Sequence, residues 1–572
     1  MRFIASILLL LTVSAPSANA IVDMKNANYA HTWTDCEVPG TGYDLKCERT
    51  YNSRSLFNGI FGFGWCSPWE SKLEVTAESF IRLTECGAGL QLTYKPKRFD
   101  KNAVNKTITK IMQEVRKRNK GKPAKFFANL EKDIRNDEIL RQQFERKLKM
   151  AGKVKDGIVY IVDGRDNETI VFKNGRYVRT LADATKERYN TNGTLEAKYD
   201  RNGNYLKFGY QKGQLVSVTD NKGRKLTIKT NRLSKKIEQI VGPNGLKVSY
   251  KHKGEDLIFV KNAWKNDYKY EYDDLHNVTK ITFPDKTTRE LKYNKDKDWV
   301  IGFKNRKNCN ETYNYQTDPK DPVNHYWSTV VKKCGKKVTN KSRYEFWHRD
   351  KVDGTGKFLY RVRSDVNGDI TDIVYHQVFG KPISIVRNSN VVRYTYYNDG
   401  RVKLKNEPLR RMKFLYKNEC NKVSEVSIDY LAPVTQKQKQ QAKVGRAKAS
   451  SPKPKVIRTV TTKFLYEKSK CNLVYAQNSM GQTARLKYDS KGRISTIKDQ
   501  SKKVVTIKYE AKFGKPFIVN RPGLGTIKVL YDEDGSVKSV KSKDGPQVAV
   551  QVASIFNNLL DIIAPATSET PL

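Results

Sequence analysis

The sequence predicts a mainly β protein in which repeated β-hairpins form a large curled sheet or cocoon-like shell. Three observations predict it. Tyrosines return at a steady interval: Tyr466, Tyr488, Tyr509 and Tyr531 lie 22, 21 and 22 residues apart, Tyr250, Tyr272 and Tyr293 lie 22 and 21 apart, and Tyr375 precedes Tyr397 by 22. Turn-forming cores follow several of them, as in Tyr199-Asp200-Arg201-Asn202-Gly203, Tyr488-Asp489 with Gly492, and Tyr531-Asp532 with Gly535. There an Asp side chain can bond the backbone of a tight turn, and glycine accepts the positive φ that the turn needs. Between the turns apolar and polar residues alternate at period two, the pattern of half-buried strands. One hairpin is marginal in water, so neighbours must pair edge to edge and share a core.

Seven segments follow in order. Residues 1–20, "MRFIASILLLLTVSAPSANA", have one early charge, an apolar run from Phe3 to Val13 and a small-residue end, which reads as a secretory signal peptide cut after Ala20. The apolar run is too short to span a membrane, no second one follows, and the mature chain is expected outside the cytoplasm: periplasmic, on the outer surface or secreted. Residues 21–98 form a Cys-rich N-terminal module, in which "FNGIFGFGWCSPW" (57–69) sets Phe61, Phe63, Trp65 and Trp69 among glycines as an aromatic plug. Over 99–156 the period becomes helical: Val104, Ile108, Ile111 and Val115 form one stripe, and Phe127, Leu130, Ile134, Leu140, Phe144 and Leu148 another, giving a helical hairpin broken at "NKGKP" (119–123). Repeats fill 157–432 and 456–540. Between them 433–455 carries seven basic and no acidic residues, a disordered loop or basic tether. The tail, 541–572, offers a short amphipathic helix with apolar positions 548, 552, 555, 559 and 562–563.

Eight cysteines, at 36, 47, 66, 86, 309, 334, 420 and 471, lack any CxxC spacing, so in an exported chain they point to disulfides rather than zinc. Among 105 connectivities local pairing is expected: Cys36 with Cys47, Cys66 with Cys86, Cys309 with Cys334. Cys420 and Cys471 end two similar sentences, "KFLYKNECN" and "KFLYEKSKCN", which places them at matching positions on strands flanking the basic insertion.

With 108 basic against 60 acidic residues the chain carries a formal charge of +48. Such a field draws anions, whether acidic glycans, anionic lipid or, without sequence preference, nucleic acid; lysine also keeps β surfaces soluble. No HExxH or HxxxH pair, GxSxG elbow or phosphate-cradling loop occurs, so neither an enzyme, a metal nor a cofactor is expected. Rings alternate with cations at Trp264, Tyr268, Tyr270 and Tyr272 and at Tyr394, Tyr396 and Tyr397. Facing outward, these rows would stack on sugars; facing inward, they set the register of the repeats.

The tyrosine-aspartate units, the upstream "FGFGW" (61–65), and the segments "NDEILRQQFERKLKMAG" (136–152) and "NGRYVRTLADATKERYNTNGTL" (174–195) together resemble the RHS (rearrangement hot spot) or YD-repeat family over nearly the whole mature chain. That resemblance implies a β-ribbon spiralling into a shell, sometimes around a toxic C-terminal domain; the sequence departs from toxin-carrying members in having only about thirty residues after its last clear repeat. The activity expected is recognition of anionic glycan surfaces at the cell envelope. Two alternatives are a containment shell for a toxin or other protein cargo supplied in trans, and a purely structural envelope protein.

Overall fold

The computed structural model of the chain describes residues 21–38, 43–85, 91–100, 102–165, 168–352, 356–433, 454–510, 515–531, 537–542 and 544–567. Expectations for the signal peptide, for Cys86, Asp532 and Gly535, and for 434–453 of the basic insertion lie outside these. The described residues are mainly β, in antiparallel hairpins. Where the sequence suggests one large β body, they divide into two compact units, 21–38 with 43–381, and 382–567.

In the first unit, strands Ile21–Asp23, Asn28–Val38, Leu45–Asn52 and Trp65–Cys66 pair in that order as a four-stranded sheet. Every strand from Val159–Ile161 to Asp369–Tyr375 then pairs antiparallel with the next in sequence. The two sheets share one core: Tyr29, Trp33, Tyr51, Phe61 and Trp65 of the N-terminal module are buried with Leu226, Ile240, Val260 and Ile281 of the repeats. Backbone bonds tie the module to successive hairpins, Ile237 N to Ile60 O at 2.8 Å, Phe63 N to Glu255 O at 2.9 Å, Ala263 N to Asp35 O at 2.9 Å and Val300 N to Ala27 O at 3.1 Å. The expected aromatic plug is therefore core.

Asp side chains make the turns as read. Asp200 Oδ1 accepts from Asn202 N and Asn204 N, both at 2.8 Å, and Asp489 Oδ1 from Lys491 N and Arg493 N, both at 2.9 Å. Gly203 and Gly492 close these turns at φ of 85° and 73°. The tyrosines have a role that the spacing alone does not reveal. A register shift occurs immediately before Tyr210, Tyr272, Tyr293, Tyr488, Tyr509 and Tyr531. Such bulges re-aim a side chain, and each hydroxyl donates to a backbone carbonyl fifteen residues earlier: Tyr210 to Leu195 at 3.0 Å, Tyr272 to Leu257 at 2.8 Å, Tyr293 to Val278 at 3.0 Å, Tyr488 to Leu473 and Tyr509 to Ile494 at 2.7 Å, and Tyr531 to Pro516 at 2.6 Å.

Helices α1 (Ala103–Arg118), α2 (Ala124–Asn136) and α3 (Glu138–Lys147) replace the expected two-helix hairpin. The second expected helix divides because Asp137, extended at φ −116° and ψ 103°, turns its side chain to cap Ile139 N and Leu140 N. Both apolar stripes nevertheless share one core, which Phe80, just before the strand Ile81–Thr84, joins. In the second unit, strands from Pro382–Arg387 to Val537–Ser542 pair consecutively, and helix α4 (Pro546–Ile563) buries Val552, Leu559 and Ile562 against Phe414, Leu486, Ile507 and Val529.

Disulfides join Cys309 to Cys334 and Cys420 to Cys471, the second pair being the one the repeated sentences suggest. Cys36 and Cys47 face each other across paired strands, but both are thiols here and fully buried. Burial, with Cys36 alongside, pushes the Cys47 thiol well up. Cys66 is buried as well.

Two outcomes follow. Tyr293→Phe should cost about 1 kcal/mol in urea titration, the net value of one intramolecular hydrogen bond, whereas Tyr199→Phe, whose hydroxyl makes no hydrogen bond among the described residues, should cost roughly none; equal losses would remove the staple's special role. Native protein should resist alkylation at Cys36 and Cys47, and both should react once it is unfolded without reductant; failure to react would show that the pair is oxidised.

Candidate functional site

The rings singled out in the sequence are mostly committed to the fold. Tyr270 is 3% exposed and its hydroxyl accepts from Arg49 at 2.8 Å, inside a cluster where the Arg49 guanidinium lies over Trp33, Trp65 and Tyr270 and pairs with Asp35 at 2.7 Å. Tyr272 receives the Trp65 indole N–H at 2.9 Å and donates to Leu257. Tyr394 is 4% exposed, Tyr396 donates to Pro382 O, and Tyr397 donates to Phe414 O at 2.9 Å. Tyr268 is half-buried against the core. Of the seven, only Trp264, 48% exposed, stands on the surface. Tyr268, Tyr270, Tyr272, Tyr394, Tyr396 and Tyr397 serve the packing of the repeats, because the strand face carrying them is the face that the core needs, while Trp264 keeps the outward position the sequence allows.

The opposite face is ordered in a different way. Along the strands of the first unit Lys207, Lys229, Lys251, Lys269 and Lys292 are exposed, the first three at intervals of 22 residues. Lys413, Lys463, Lys487, Lys508 and Lys528 do the same in the second. None of the ten pairs with a carboxylate among the described residues. Cross-strand register sets Lys251 opposite Phe259, and Phe259 opposite Lys269. In the second unit the row runs Lys508, Ile518, Lys528, Lys541. Cations two strands apart are separated by roughly 10 Å, twice the strand spacing. Apolar surface lies between: Lys251 Nζ sits 5.5 Å from the Phe259 ring centre, Lys528 Nζ 5.3 Å from that of Phe517, and the Arg485 guanidinium 4.5 Å from that of Tyr475. Hairpin alternation produces both faces at once, and the exposed cation-and-ring rows were the signal available in the sequence.

Buried charge gathers in one further place. α3 buries Arg141, Gln142 and Glu145, and the last two line, with Glu74, Val75 and Arg82 of the strands Lys72–Val75 and Ile81–Thr84, a cavity of about 330 Å³. Glu145 Oε2 accepts from Ala77 N at 3.0 Å, Arg82 donates to Gln142 at 2.7 Å and pairs with Glu74, and Arg141 lies 3.6 Å from Glu78. Burial, reinforced by the Glu78 charge, pushes the Glu145 carboxyl up to about 7; burial and Arg146 bring Arg82 down to about 10. Among the described residues no cluster of His, Cys, Asp and Glu is arranged to hold a metal ion, and no helix is long and apolar enough to cross a membrane.

Residues 20–93 match a domain of unknown function, DUF6531. No curated protein matches the chain. Among solved structures it is similar to the Tc holotoxin pore of Photorhabdus luminescens carrying a TccC3 mutation, at 11% identity and TM-score 0.35 over 90% of this chain and 29% of that one. TcdB2-TccC3-TEV is similar at 10% identity and TM-score 0.29, over 93% of this chain and 32% of that one. TcdB2-TccC3 is similar at 9% identity and TM-score 0.22, over 93% and 38%. The chain thus spans between 29% and 38% of the length of these structures.

A raised carboxyl pKa favours the neutral form in the fold, so Glu145 lowers stability progressively as pH climbs from 4.5 towards about 7. Hydrogen exchange of α3 should accelerate over that window beyond its intrinsic pH dependence, and Glu145→Gln should flatten the response. An unchanged profile in the variant would show that Glu145 does not control it.

Proposed function

We propose that the chain is an exported repeat protein of the RHS/YD kind whose outward strand faces bind acidic polysaccharide. The observation that carries this reading is the pair of ordered rows, Lys251-Phe259-Lys269 and Lys508-Ile518-Lys528, in which cations without a carboxylate partner among the described residues alternate with apolar contacts, Lys541 standing directly opposite Lys528 at the end of the second. Charges at regular intervals suit a polymer whose own charges recur, and the rings and aliphatic surface between them suit the apolar faces of sugar rings. Two disulfides and the expected signal peptide support an oxidising compartment. A duplex nucleic acid shares the charge but offers no exposed sugar face, which separates the two.

The mature chain, 21–572, should bind hyaluronate and polygalacturonate and leave dextran unbound. Affinity should fall with salt, yet some should persist at about 500 mM where double-stranded DNA has been lost, since only the ionic part collapses by counterion displacement. The double variant Lys251→Glu with Lys269→Glu should lower the salt slope by roughly two contacts. Loss of every polymer together by about 200 mM would overturn the reading.

A further inference from the structure

A cavity of about 450 Å³ opens in the first unit where the strand Ile21–Asp23 ends over the core face of the repeats. That volume lies within the range of sites for small organic ligands. Val22, Met24, Phe303 and Val330 give it an apolar side, while Arg289, Lys332, Asn340 and Tyr344 supply polar groups.

Arg289 is the unusual member. Its guanidinium lies 5.2 Å from the ring centre of Phe283 and 5.6 Å from that of Phe303, and Nη1 donates to the Tyr29 hydroxyl at 2.9 Å. These contacts fix its plane. It has no carboxylate partner among the described residues, and Nη2 makes no hydrogen bond there. A fixed, half-buried arginine with a donor to spare is matched by a carboxylate, which takes the planar fork with favourable geometry. The one acid on the wall, Glu311, does not oppose this. Its two oxygens are occupied, one by Lys332 Nζ at 2.9 Å and the other by the Tyr313 hydroxyl at 2.5 Å. The Tyr344 hydroxyl, unbonded among the described residues, and the Asn340 amide, whose bonds with Ser342 leave one N–H over, line the same cavity as partners for hydroxyl groups.

We infer that this cavity binds one uronic acid unit, its carboxylate on Arg289, its hydroxyls on Tyr344 and Asn340, and the apolar face of the ring on Phe303. The inference deepens the polysaccharide reading by adding a site for a single sugar residue, but it does not need the lysine rows to hold. The unit could arrive as free sugar or as the end of a chain, and both sources present the same chemistry.

Calorimetric titration of the mature chain with D-glucuronate, with a hyaluronate tetrasaccharide ending in glucuronate, and with D-glucose tests it. Glucuronate and the tetrasaccharide should both saturate one site, and glucose should not. Arg289→Gln should weaken both by about tenfold or more, the scale of one charge-assisted hydrogen-bond pair. Because that change also strips Tyr29 of its partner, Tyr344→Phe serves as a second variant; it removes a hydroxyl with no role in the fold and should weaken binding about threefold or more. Binding of the tetrasaccharide alone would assign the site to chain ends, and equal binding of both to the sugar unit itself; either supports it. Absence of glucuronate binding together with tetrasaccharide binding that neither variant alters, equal binding of glucose, or unchanged binding in both variants would overturn the proposal. Failure of the lysine-row reading looks different: hyaluronate polymer would then be lost with salt as DNA is, while glucuronate titration still saturates.

Discussion

The hydroxyls of six repeat tyrosines, Tyr210, Tyr272, Tyr293, Tyr488, Tyr509 and Tyr531, each bonded to a carbonyl fifteen residues earlier, make the interaction on which the order of the repeats depends. The ladder runs from each strand to the next within a unit, and a side-chain link is added to it at the repeat tyrosines. The bulge before the tyrosine supplies that link. It re-aims the ring so that the hydroxyl meets a carbonyl at the start of the neighbouring strand, as Tyr509 meets Ile494. One bond contributes only about 1 kcal/mol. It recurs at nearly every period, so a slip in one hairpin would misplace the acceptor for the next. The interval of 21 or 22 residues is therefore the chain length that returns a tyrosine to the carbonyl left by its predecessor.

What begins the stack is a different kind of contact. In the N-terminal module Arg49 and Asp35 form an ion pair with both side chains wholly buried, and the repeats add partners to it: Tyr250 donates to Asp35 Oδ2 at 2.9 Å and Tyr270 accepts from Arg49. A buried pair is weak evidence for stability as such, but a pair missing one of its ligands is strongly unfavourable. The module and the hairpins around residues 250–270 consequently cannot form their cores separately without leaving charge unsatisfied. Specific docking of the module onto these hairpins follows from that penalty more than from apolar area, which any two greasy surfaces would offer.

Much of this was legible in the sequence because it is local. Tyr, Asp and Gly at fixed offsets announce a turn whose chemistry lies within five residues, and the apolar stripes at Val104, Ile108 and Ile111 announce a helix within three turns. The pairing of Cys420 with Cys471 was legible for a related reason, since two copies of one sentence occupy equivalent places, although these are the turns after the strands Arg410–Leu415 and Val456–Tyr466 and not the strands themselves. Illegible were the features that depend on partners far along the chain. Whether Tyr270 faces sugar or core depends on Arg49, 221 residues away. The orientation of Arg289 depends on Tyr29, 260 residues away. Asp137 breaks a continuous apolar stripe because its cap competes with helix continuation, and an apolar count is blind to that competition.

The same alternation that commits one face of each strand to the core leaves the other face free of structural duty. With the tyrosine hydroxyls and inward apolar residues occupied, outward positions such as Lys229 and Lys251 can be chosen for charge alone. Cations roughly 10 Å apart repel weakly at physiological salt, where the screening length is about 8 Å, so each lysine costs the fold little. On the polysaccharide binding proposed above, a polymer with charges at comparable intervals would meet many of them together, its gains adding while the repulsion between lysines falls. Affinity spread in this way is broad and selects for charge density. Selection for a particular sugar would require a place where geometry is fixed, and Arg289, held between two rings on the wall of a cavity, is such a place in the first unit.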